Sequence, residues 1–288
     1  MNRLMGSNMI DGEAIEYSIA GKQGDPVLVM HGGHSNCYEE FGYESLVENG
    51  FMIITPSRAG YSGTSKEMGE SLSKACAYYV ELLNYLRIEK VHVLAISAGG
   101  PSGLYLAAHY PERVKTLTLQ SAVTKEWHTP QDTIYKVAQV LFRPYMEKAT
   151  WKLTAGISNR FPKFMFKQMV SSFSSLSYEE IKAKMDNSDI EEIRKMNNRQ
   201  RSRNGFLLDL AQTKEISTED LQKISSPTFI MHSKYDGAVP LEHASYAHQQ
   251  IRNSNLCLLD VWGHLIWLGD GAAEASELLV DFLRQHKT

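Results

Sequence analysis

Short apolar runs recur along the chain and are separated by longer amphipathic stretches. The run at 14–20 alternates apolar and polar residues, which is typical of a half-buried strand. Six further runs are continuous and rich in Val, Ile and Leu, as strands are when both faces of a parallel sheet are buried. These runs lie at 26–30, 51–55, 91–96, 116–120, 227–231 and 256–260. Each run is predicted to form one strand.

Helical patterns lie between several of these runs. Residues 72–90 place apolar side chains on one helical face, and 271–285 is a second amphipathic stretch. Residues 101–110 open with a proline and are otherwise rich in helix formers, which favours a helix there. Alternating strands and helices predict an α/β fold, in which helices flank a mostly parallel sheet.

The stretch from 123 to 222 breaks this alternation. It contains no clear strand-like run, whereas aromatic and Met residues recur at helical spacing. These residues are Trp151, Phe161, Phe164, Met165, Met169 and Phe173. We interpret the stretch as a helical insertion between two strands of one sheet. The predicted organisation is a core at 1–122 and 223–288 that carries the insertion at 123–222.

Composition narrows the class of protein. The chain has 288 residues, 43% of them hydrophobic, which is enough for a sizeable core, and its net charge of -3 gives no basic field for nucleic acid. Three widely spaced cysteines predict neither a disulfide framework nor a zinc site. No stretch approaches the roughly 20 apolar residues of a membrane helix, and the first residues lack the apolar run of a signal peptide. We expect a soluble cytoplasmic protein without metal or cofactor.

The sequence VHVLAISAGGPSG at 91–103 places a serine between a buried strand and a helix. So tight a turn pushes the Ser97 side chain out at the carboxyl edge of the sheet. The residues two before and two after it must be small to avoid the strand and the helix, and Ala95 and Gly99 are small. The helix start also leaves the Ala98 N–H free for an incoming oxygen.

This turn resembles the nucleophile elbow of the α/β-hydrolase family, with Ala95 in place of the first glycine of G-x-S-x-G. The resemblance covers the predicted core. It implies a mostly parallel eight-stranded sheet flanked by helices, with 123–222 as a helical cap or lid. It also implies that Ser97 is the nucleophile and that the Ala98 N–H is one donor of an oxyanion hole.

A second loop, in VLVMHGGHS at 27–35, looks like the family's HG loop, which supplies the other oxyanion donor. By position that donor is Gly33, with His34 as the alternative. Glycines here let the backbone approach a substrate closely. His34 departs from the pattern, because some members of the family carry proline there. We expect His31 to be structural.

Two further loops supply the acid and the base that the resemblance implies. Asp236, in FIMHSKYDGAVP, follows a predicted strand and can orient an imidazole. His264, in LLDVWGHLIW, follows the last predicted strand and completes the chain order Ser, Asp, His. Asp260 is a rival acid, which we expect to face elsewhere. The loop containing Arg58 also looks like family sequence and is expected to tie neighbouring loops together.

These residues predict a serine hydrolase. With His264 as base and Asp236 as its partner, Ser97 would attack a carbonyl carbon and form an acyl-enzyme. Dehalogenases and epoxide hydrolases of the same fold use aspartate as nucleophile, so Ser97 argues against both.

A small carboxylic ester or lactone is the favoured substrate. The chain resembles the serine-nucleophile branch with a helical cap, which includes esterase, proline iminopeptidase-like and haloperoxidase-like proteins. Amides, peptides and C–C bonds stay open, as does a slow-turnover ligand sensor. The aromatic residues of the insertion indicate either an apolar ligand or helix packing. The basic run at 194–203 indicates either an anion site or a solvated helix face.

Overall fold

Eight strands form one sheet in the computed structural model, which describes residues 3–40 and 42–287. The strands are β1 (Arg3–Ile10), β2 (Glu13–Ala20), β3 (Asp25–Met30), β4 (Phe51–Pro56), β5 (Val91–Ile96), β6 (Val114–Gln120), β7 (Thr228–Ser233) and β8 (Ser254–Leu259). Their order across the sheet is β1-β2-β4-β3-β5-β6-β7-β8. The first two strands join antiparallel, and all pairs from β4 to β8 are parallel. The expected mostly parallel sheet is confirmed.

Each predicted run coincides with a strand, but the apolar pattern did not predict β1. This strand lies at the edge of the sheet and leaves Leu4 and Met9 exposed, so it carries no continuous apolar run. It pairs with β2 through a two-residue turn at Asp11 and Gly12, both with positive φ. An Asp-Gly pair in a sequence is a strong signal of a β-hairpin, and this pair would have indicated a strand before Asp11.

Helices cover both faces of the sheet, and successive residues of each strand point to opposite faces. Val27 and Val29 pack toward one face, and Leu28 and Met30 toward the other. The helices are α1 (Tyr43–Glu48), α2 (Leu72–Tyr85), α3 (Gly100–His109), α4 (Thr133–Leu141), α5 (Pro144–Arg160), α6 (Pro162–Met169), α7 (Tyr178–Lys184), α8 (Asn187–Arg199), α9 (Gly205–Gln212), α10 (Thr218–Lys223), α11 (Leu241–Gln250) and α12 (Ala272–Gln285). α1 and α12 cover the valine face, while α2, α3 and α11 cover the other.

The helix predicted at 72–90 ends earlier than expected, at Tyr85. The N–H of Arg87 bonds to Asn84 O at 3.0 Å, and the N–H of Ile88 bonds to Leu83 O at 2.9 Å. These two bonds form a Schellman motif, in which the residue just past the helix adopts left-handed backbone. Arg87 does so, with φ 58°. Arginine is not the glycine that usually marks such an end, so the sequence gives no stop signal.

The chain between β6 and β7 is helical, as expected. Within the described residues it contributes no strand to the sheet, only an isolated bridge between Ser174 and Asp236. α6, α7 and α8 pack around Phe166 and Ile181, and Trp262 of the core joins the same cluster. The division into a core and a cap at 123–222 stays a prediction.

Among residues 3–40 and 42–287, no helix is long and apolar enough to cross a membrane.

Candidate active site

Ser97 stands at a strained turn directly after β5. Its φ is 52°, in the left-handed region that non-glycine residues rarely adopt. A Cβ on Gly99 would lie 2.1 Å from the carbonyl oxygen of Met30, so position 99 must be glycine. A Cβ on Gly103 would lie 2.4 Å from Ala95 Cβ, so the glycine in α3 makes room for alanine on the strand. The tight strand-to-helix turn expected from the sequence is present.

Ser97, His264 and Asp236 form a continuous hydrogen-bonded relay. His264 Nε2 lies 2.9 Å from Ser97 Oγ, and its Nδ1 lies 2.8 Å from Asp236 Oδ2. The other oxygen of Asp236 accepts the backbone N–H groups of Ala238 at 2.8 Å and Val239 at 2.9 Å. The relay therefore orients the imidazole with Nδ1–H toward the carboxylate and Nε2 toward the serine hydroxyl.

Asp236 is almost fully buried, yet its surroundings favour the ionised form. Burial by itself raises the pKa of a carboxyl group. The charge and the hydrogen bond of His264 and the charge of His232 outweigh burial and hold the pKa of Asp236 below its usual value. His232 Nε2 donates to the carbonyl oxygen of Val239 at 3.0 Å and lies 3.4 Å from Asp236 Oδ2. Sequence reasoning missed His232, although a histidine at the end of a buried strand, four residues before the acid, was a usable signal.

Asp260, the rival acid, is not part of the relay. Its side chain is 59% exposed and lies 3.3 Å from Lys184 Nζ and 4.0 Å from Lys234 Nζ. It therefore faces elsewhere, as expected from its place at the strand end.

The two glycines of the HG loop lie against the serine. A Cβ on Gly32 would lie 3.3 Å from Ser97 Cβ, and a Cβ on Gly33 would lie 3.6 Å from Ala98 Cβ and 3.1 Å from the Phe206 ring. The loop and the start of the following helix thus meet beside Ser97. Two backbone donors for an oxyanion must lie beside the nucleophile, and both segments do so. Gly33 and Ala98 stay the predicted donors.

His31 and Arg58 support the HG loop from behind. His31 Nε2 accepts the backbone N–H of Arg58 at 2.9 Å, and its Nδ1 donates to Gly32 O at 2.8 Å. Burial and the Arg58 charge lower the pKa of His31 well below its usual value. Arg58 Nε donates to His31 O at 2.7 Å, and its guanidinium pairs with Asp209 of α9 in a bidentate ion pair. Arg58 therefore ties the HG loop to the inserted helices.

A cavity of about 690 Å³ opens over Ser97 and His264. The core supplies one wall, which includes Gly33 and His34, and the insertion supplies the rest. Of the aromatic and Met residues singled out in the sequence, Trp151, Met169 and Phe173 line the cavity. Phe161 and Phe164 instead point to solvent, with 55% and 56% of their surface exposed. The two alternatives were an apolar ligand and helix packing: three of these residues line the cavity, whereas the exposure of Phe161 and Phe164 fits neither.

The segment around Phe173 joins the insertion to the catalytic loops. The carbonyl oxygen of Phe173 accepts the N–H of Gly237 at 3.1 Å, and Ser175 N–H bonds to Tyr235 O at 2.9 Å. The Phe173 ring stacks on His264, with centroids 6.3 Å apart and planes 13° apart. No local signal in the sequence identified this segment, because its partners lie more than 50 residues away along the chain.

The basic run at 194–203 is largely engaged with carboxylates. Arg194 pairs with Glu191 at 2.6 Å, Arg199 with Glu39 at 2.6 Å and Arg201 with Glu147 at 3.3 Å. These ion pairs favour the structural interpretation over an anion site. In the described part of the chain, no group of three His, Cys, Asp or Glu side chains could hold a metal ion.

Comparison with known proteins identifies the family of the chain. Residues 25–270 match the family model of the alpha/beta hydrolase fold. The chain is 59% identical to the uncharacterized hydrolase YcgS of Bacillus subtilis, over 98% of this chain and 99% of that protein. It is 27% identical to the 2-hydroxy-6-oxo-6-phenylhexa-2,4-dienoate hydrolase of Comamonas testosteroni, over 94% and 91% of the two chains.

Among solved structures, an alpha/beta hydrolase fold protein from Nakamurella multipartita superposes with a TM-score of 0.81 at 26% identity, over 98% of this chain and 99% of that one. The family model spans most of the chain, and the relatives named above are hydrolases. The chain therefore belongs to the α/β-hydrolase fold family.

Proposed function

We propose that the protein is a serine hydrolase that cleaves a small carboxylic ester or lactone through an acyl-enzyme. One observation carries the proposal: the relay Asp236–His264–Ser97, with distances of 2.8 and 2.9 Å, ends at a serine on a strained turn facing a large cavity. A free serine hydroxyl is a weak nucleophile, and a base held in this way activates it. The proposed partner is thus a small-molecule substrate, and we keep a cytoplasmic location as part of the proposal.

In this mechanism His264 Nε2 takes the proton of Ser97 as Oγ attacks the carbonyl carbon of the substrate. Asp236 stabilises the imidazolium that forms. The N–H groups of Gly33 and Ala98 hold the oxyanion of the tetrahedral intermediate. His264 then gives its proton to the leaving alkoxide, which departs as the alcohol. A water, activated by the same imidazole, hydrolyses the acyl-enzyme.

A second candidate is cleavage of a carbon–carbon bond next to a carbonyl group. The observation in its favour is the similarity to the Comamonas testosteroni hydrolase over nearly the whole length of both chains. Ester cleavage is favoured, because the nucleophile, the base and its carboxylate partner are each within hydrogen-bond distance, and an alkoxide leaves more readily than a carbanion. C–C hydrolysis would further require a substrate that stabilises the negative charge on the departing carbon until it is protonated.

The test is steady-state hydrolysis of p-nitrophenyl esters and lactones by the wild type, Ser97→Ala and Ser171→Ala. Ser171 belongs to the cavity wall but not to the relay, so it is a matched control. We expect multiple turnovers by the wild type, a loss of several orders of magnitude in Ser97→Ala, and fluorophosphonate labelling that needs Ser97. Labelling at another serine would refute the assignment. A wild type that never exceeds one turnover, and whose insertion becomes protease-resistant with ligand, would instead be a sensor.

A further inference from the structure

His34 occupies an unusual position in the wall of the active-site cavity. It follows the glycines of the HG loop with φ 63°, in the left-handed region. Its ring lies among three aromatic side chains of the insertion, with centroid distances of 4.2 Å to Phe142, 5.0 Å to Trp151 and 3.9 Å to Phe206. These contacts fix the plane of the imidazole. The serine-hydrolase mechanism proposed above gives this side chain no role.

Hydrogen bonds around Ser202 determine which nitrogen of His34 carries the proton. The indole N–H of Trp151 donates to Ser202 Oγ at 2.9 Å. His34 Nδ1 lies 2.6 Å from the same oxygen. The Ser202 hydroxyl needs an acceptor for its own proton, and His34 Nδ1 is the acceptor within reach among the described residues. His34 Nδ1 therefore accepts, and Nε2 carries the N–H.

The imidazole is also neutral, since burial lowers the pKa of His34 to about 3. A neutral ring with its proton on Nε2 offers one hydrogen-bond donor. The side-chain hydrogen bond of His34 uses Nδ1, and among the described residues none uses Nε2. A buried or half-buried donor of this kind is normally satisfied. Because His34 lines the cavity, a ligand can satisfy it.

Gln200 supplies a second unmet polar group on the same wall. The residue is only 8% exposed, and its side-chain Oε1 is buried without a hydrogen-bond partner among the described residues. The backbone bond from Arg201 N–H to His34 O, at 3.0 Å, holds the Gln200 segment beside the His34 loop. Both residues line the cavity that contains Ser97. The remaining wall is mostly apolar, although among the described residues Ser35 Oγ, Glu39 Oε2 and Trp127 Nε1 of the same lining also lack a hydrogen-bond partner. The backbone bond between Arg201 and His34 distinguishes the His34–Gln200 pair, because it holds these two residues side by side.

We propose that His34 and Gln200 form a subsite for a second oxygen of the substrate, separate from the carbonyl that Ser97 attacks. The chemistry of the subsite selects an uncharged oxygen on the acyl chain: the Nε2–H of His34 can donate to an oxo or a hydroxyl oxygen, whereas Gln200 Oε1 is an acceptor and can bind only the proton of a hydroxyl. The donor is neutral, and the nearby Arg199 and Arg201 are already paired with Glu39 and Glu147, so neither arginine is free to hold a carboxylate. The subsite would orient the acyl chain by binding energy remote from the scissile bond. This inference rests on the proposed function.

The test measures binding and turnover separately. Ser97→Ala protein is titrated by calorimetry with methyl alkanoates and with methyl oxoalkanoates of the same length, the oxo group being moved along the chain. One oxo position should bind about three- to tenfold more tightly than the plain ester, the value expected for one net hydrogen bond. Adding His34→Phe, which keeps an aromatic ring but has no N–H, should reduce that ratio to about one. Adding Ser202→Ala removes the hydroxyl that keeps the His34 proton on Nε2. The proton can then also occupy Nδ1, so the ratio should fall partly.

His128→Phe is the matched control, because it makes the same change at another histidine of the cavity wall. It should leave the oxo preference intact. The inference is overturned if no oxo position binds better, or if His34→Phe retains the preference while its thermal unfolding shows a folded protein. If His34→Phe does not fold, a Ser202→Ala variant with an unchanged ratio overturns it. Absence of ester turnover in the wild type contradicts the proposed function alone, since the binding comparison does not depend on catalysis.

Discussion

Gly263 and the carbonyl oxygen of Phe173 are so close that a Cβ on Gly263 would lie 2.5 Å from that oxygen. The same oxygen accepts the backbone N–H of His264 at 2.8 Å. A segment of the insertion thus fixes the backbone of the proposed base, and a glycine makes the contact possible. Any movement of this segment would be transmitted directly to the imidazole.

Gly263→Ala should therefore lower kcat for ester hydrolysis, because the added methyl group must displace Phe173 or the His264 backbone. A misplacement of about 1 Å in a catalytic group can cost about 100-fold. Gly156→Ala is the control, since a Cβ there meets nothing within 4 Å. That change in α5 should leave kcat unaltered and stabilise the protein by up to about 1 kcal/mol. Equal kcat values for the two variants would show that the contact does not position His264.

The kcat values of variants at the two candidate acids, Asp236 and Asp260, should show which carboxylate acts in catalysis and which is only a surface group. Asp236→Asn should reduce kcat by about 10⁴-fold, because the amide no longer holds the imidazole in the required tautomer. Asp260→Asn should change kcat little, since its partners are surface lysines. Initial rates on one activated ester suffice. A larger loss in Asp260→Asn would mean that the acid is wrongly assigned.

His243 should make the protein less stable in acid. Its Nδ1 accepts the backbone N–H of Thr124 at 3.0 Å, and burial together with nearby positive charge lowers its pKa to about 4. Between about pH 6.5 and 4 the unfolded chain binds a proton at this residue that the folded chain excludes. The free energy of unfolding should therefore fall as the pH is lowered through this window, by about 3 kcal/mol for this group.

His243→Asn supplies an acceptor that does not titrate, so its stability should depend less steeply on pH in urea denaturation between pH 7 and 4. His248→Gln, an exposed change on the same helix, is the control and should follow the wild type. Parallel curves for wild type and His243→Asn would exclude His243 as the source of the acid sensitivity.

Replacing only one partner of the buried ion pair between Arg58 and Asp209 should lower the free energy of unfolding strongly. Asp209 also accepts the hydroxyl of Tyr61 at 2.5 Å, and both charged side chains are at least 96% buried. Asp209→Leu would leave the guanidinium unpaired and should cost about 3 to 5 kcal/mol of unfolding free energy.

The double variant Arg58→Met/Asp209→Leu should be more stable than the sum of the single changes predicts, because no charge is then left buried. Arg194→Met, which removes an arginine from a solvent-exposed pair with Glu191, should change stability by less than about 1 kcal/mol. Strictly additive single and double changes at 58 and 209 would refute the coupling.

Features with a local signature could be predicted from the sequence. The buried strands are continuous apolar runs, and the elbow needs small residues at fixed spacing from Ser97, so both can be recognised within a short window. The sheet edge at β1 and the early end of α2 at Arg87 lack such a signature. His232, Phe173, Ser202 and Gln200 act through partners far away in the chain, so their contacts depend on tertiary packing that no single sequence window contains.

The backbone at Ser97 has a further consequence, for how the protein can evolve. A serine held at φ 52° costs of the order of 1 to 3 kcal/mol, which a glycine would not incur. Selection for stability alone would therefore favour Ser97→Gly, a single-codon change that removes the proposed nucleophile. A lineage that no longer needs hydrolysis should lose this serine early and become more stable as it does so, whereas a lineage that uses Ser97 as the proposed nucleophile should keep it despite the strain.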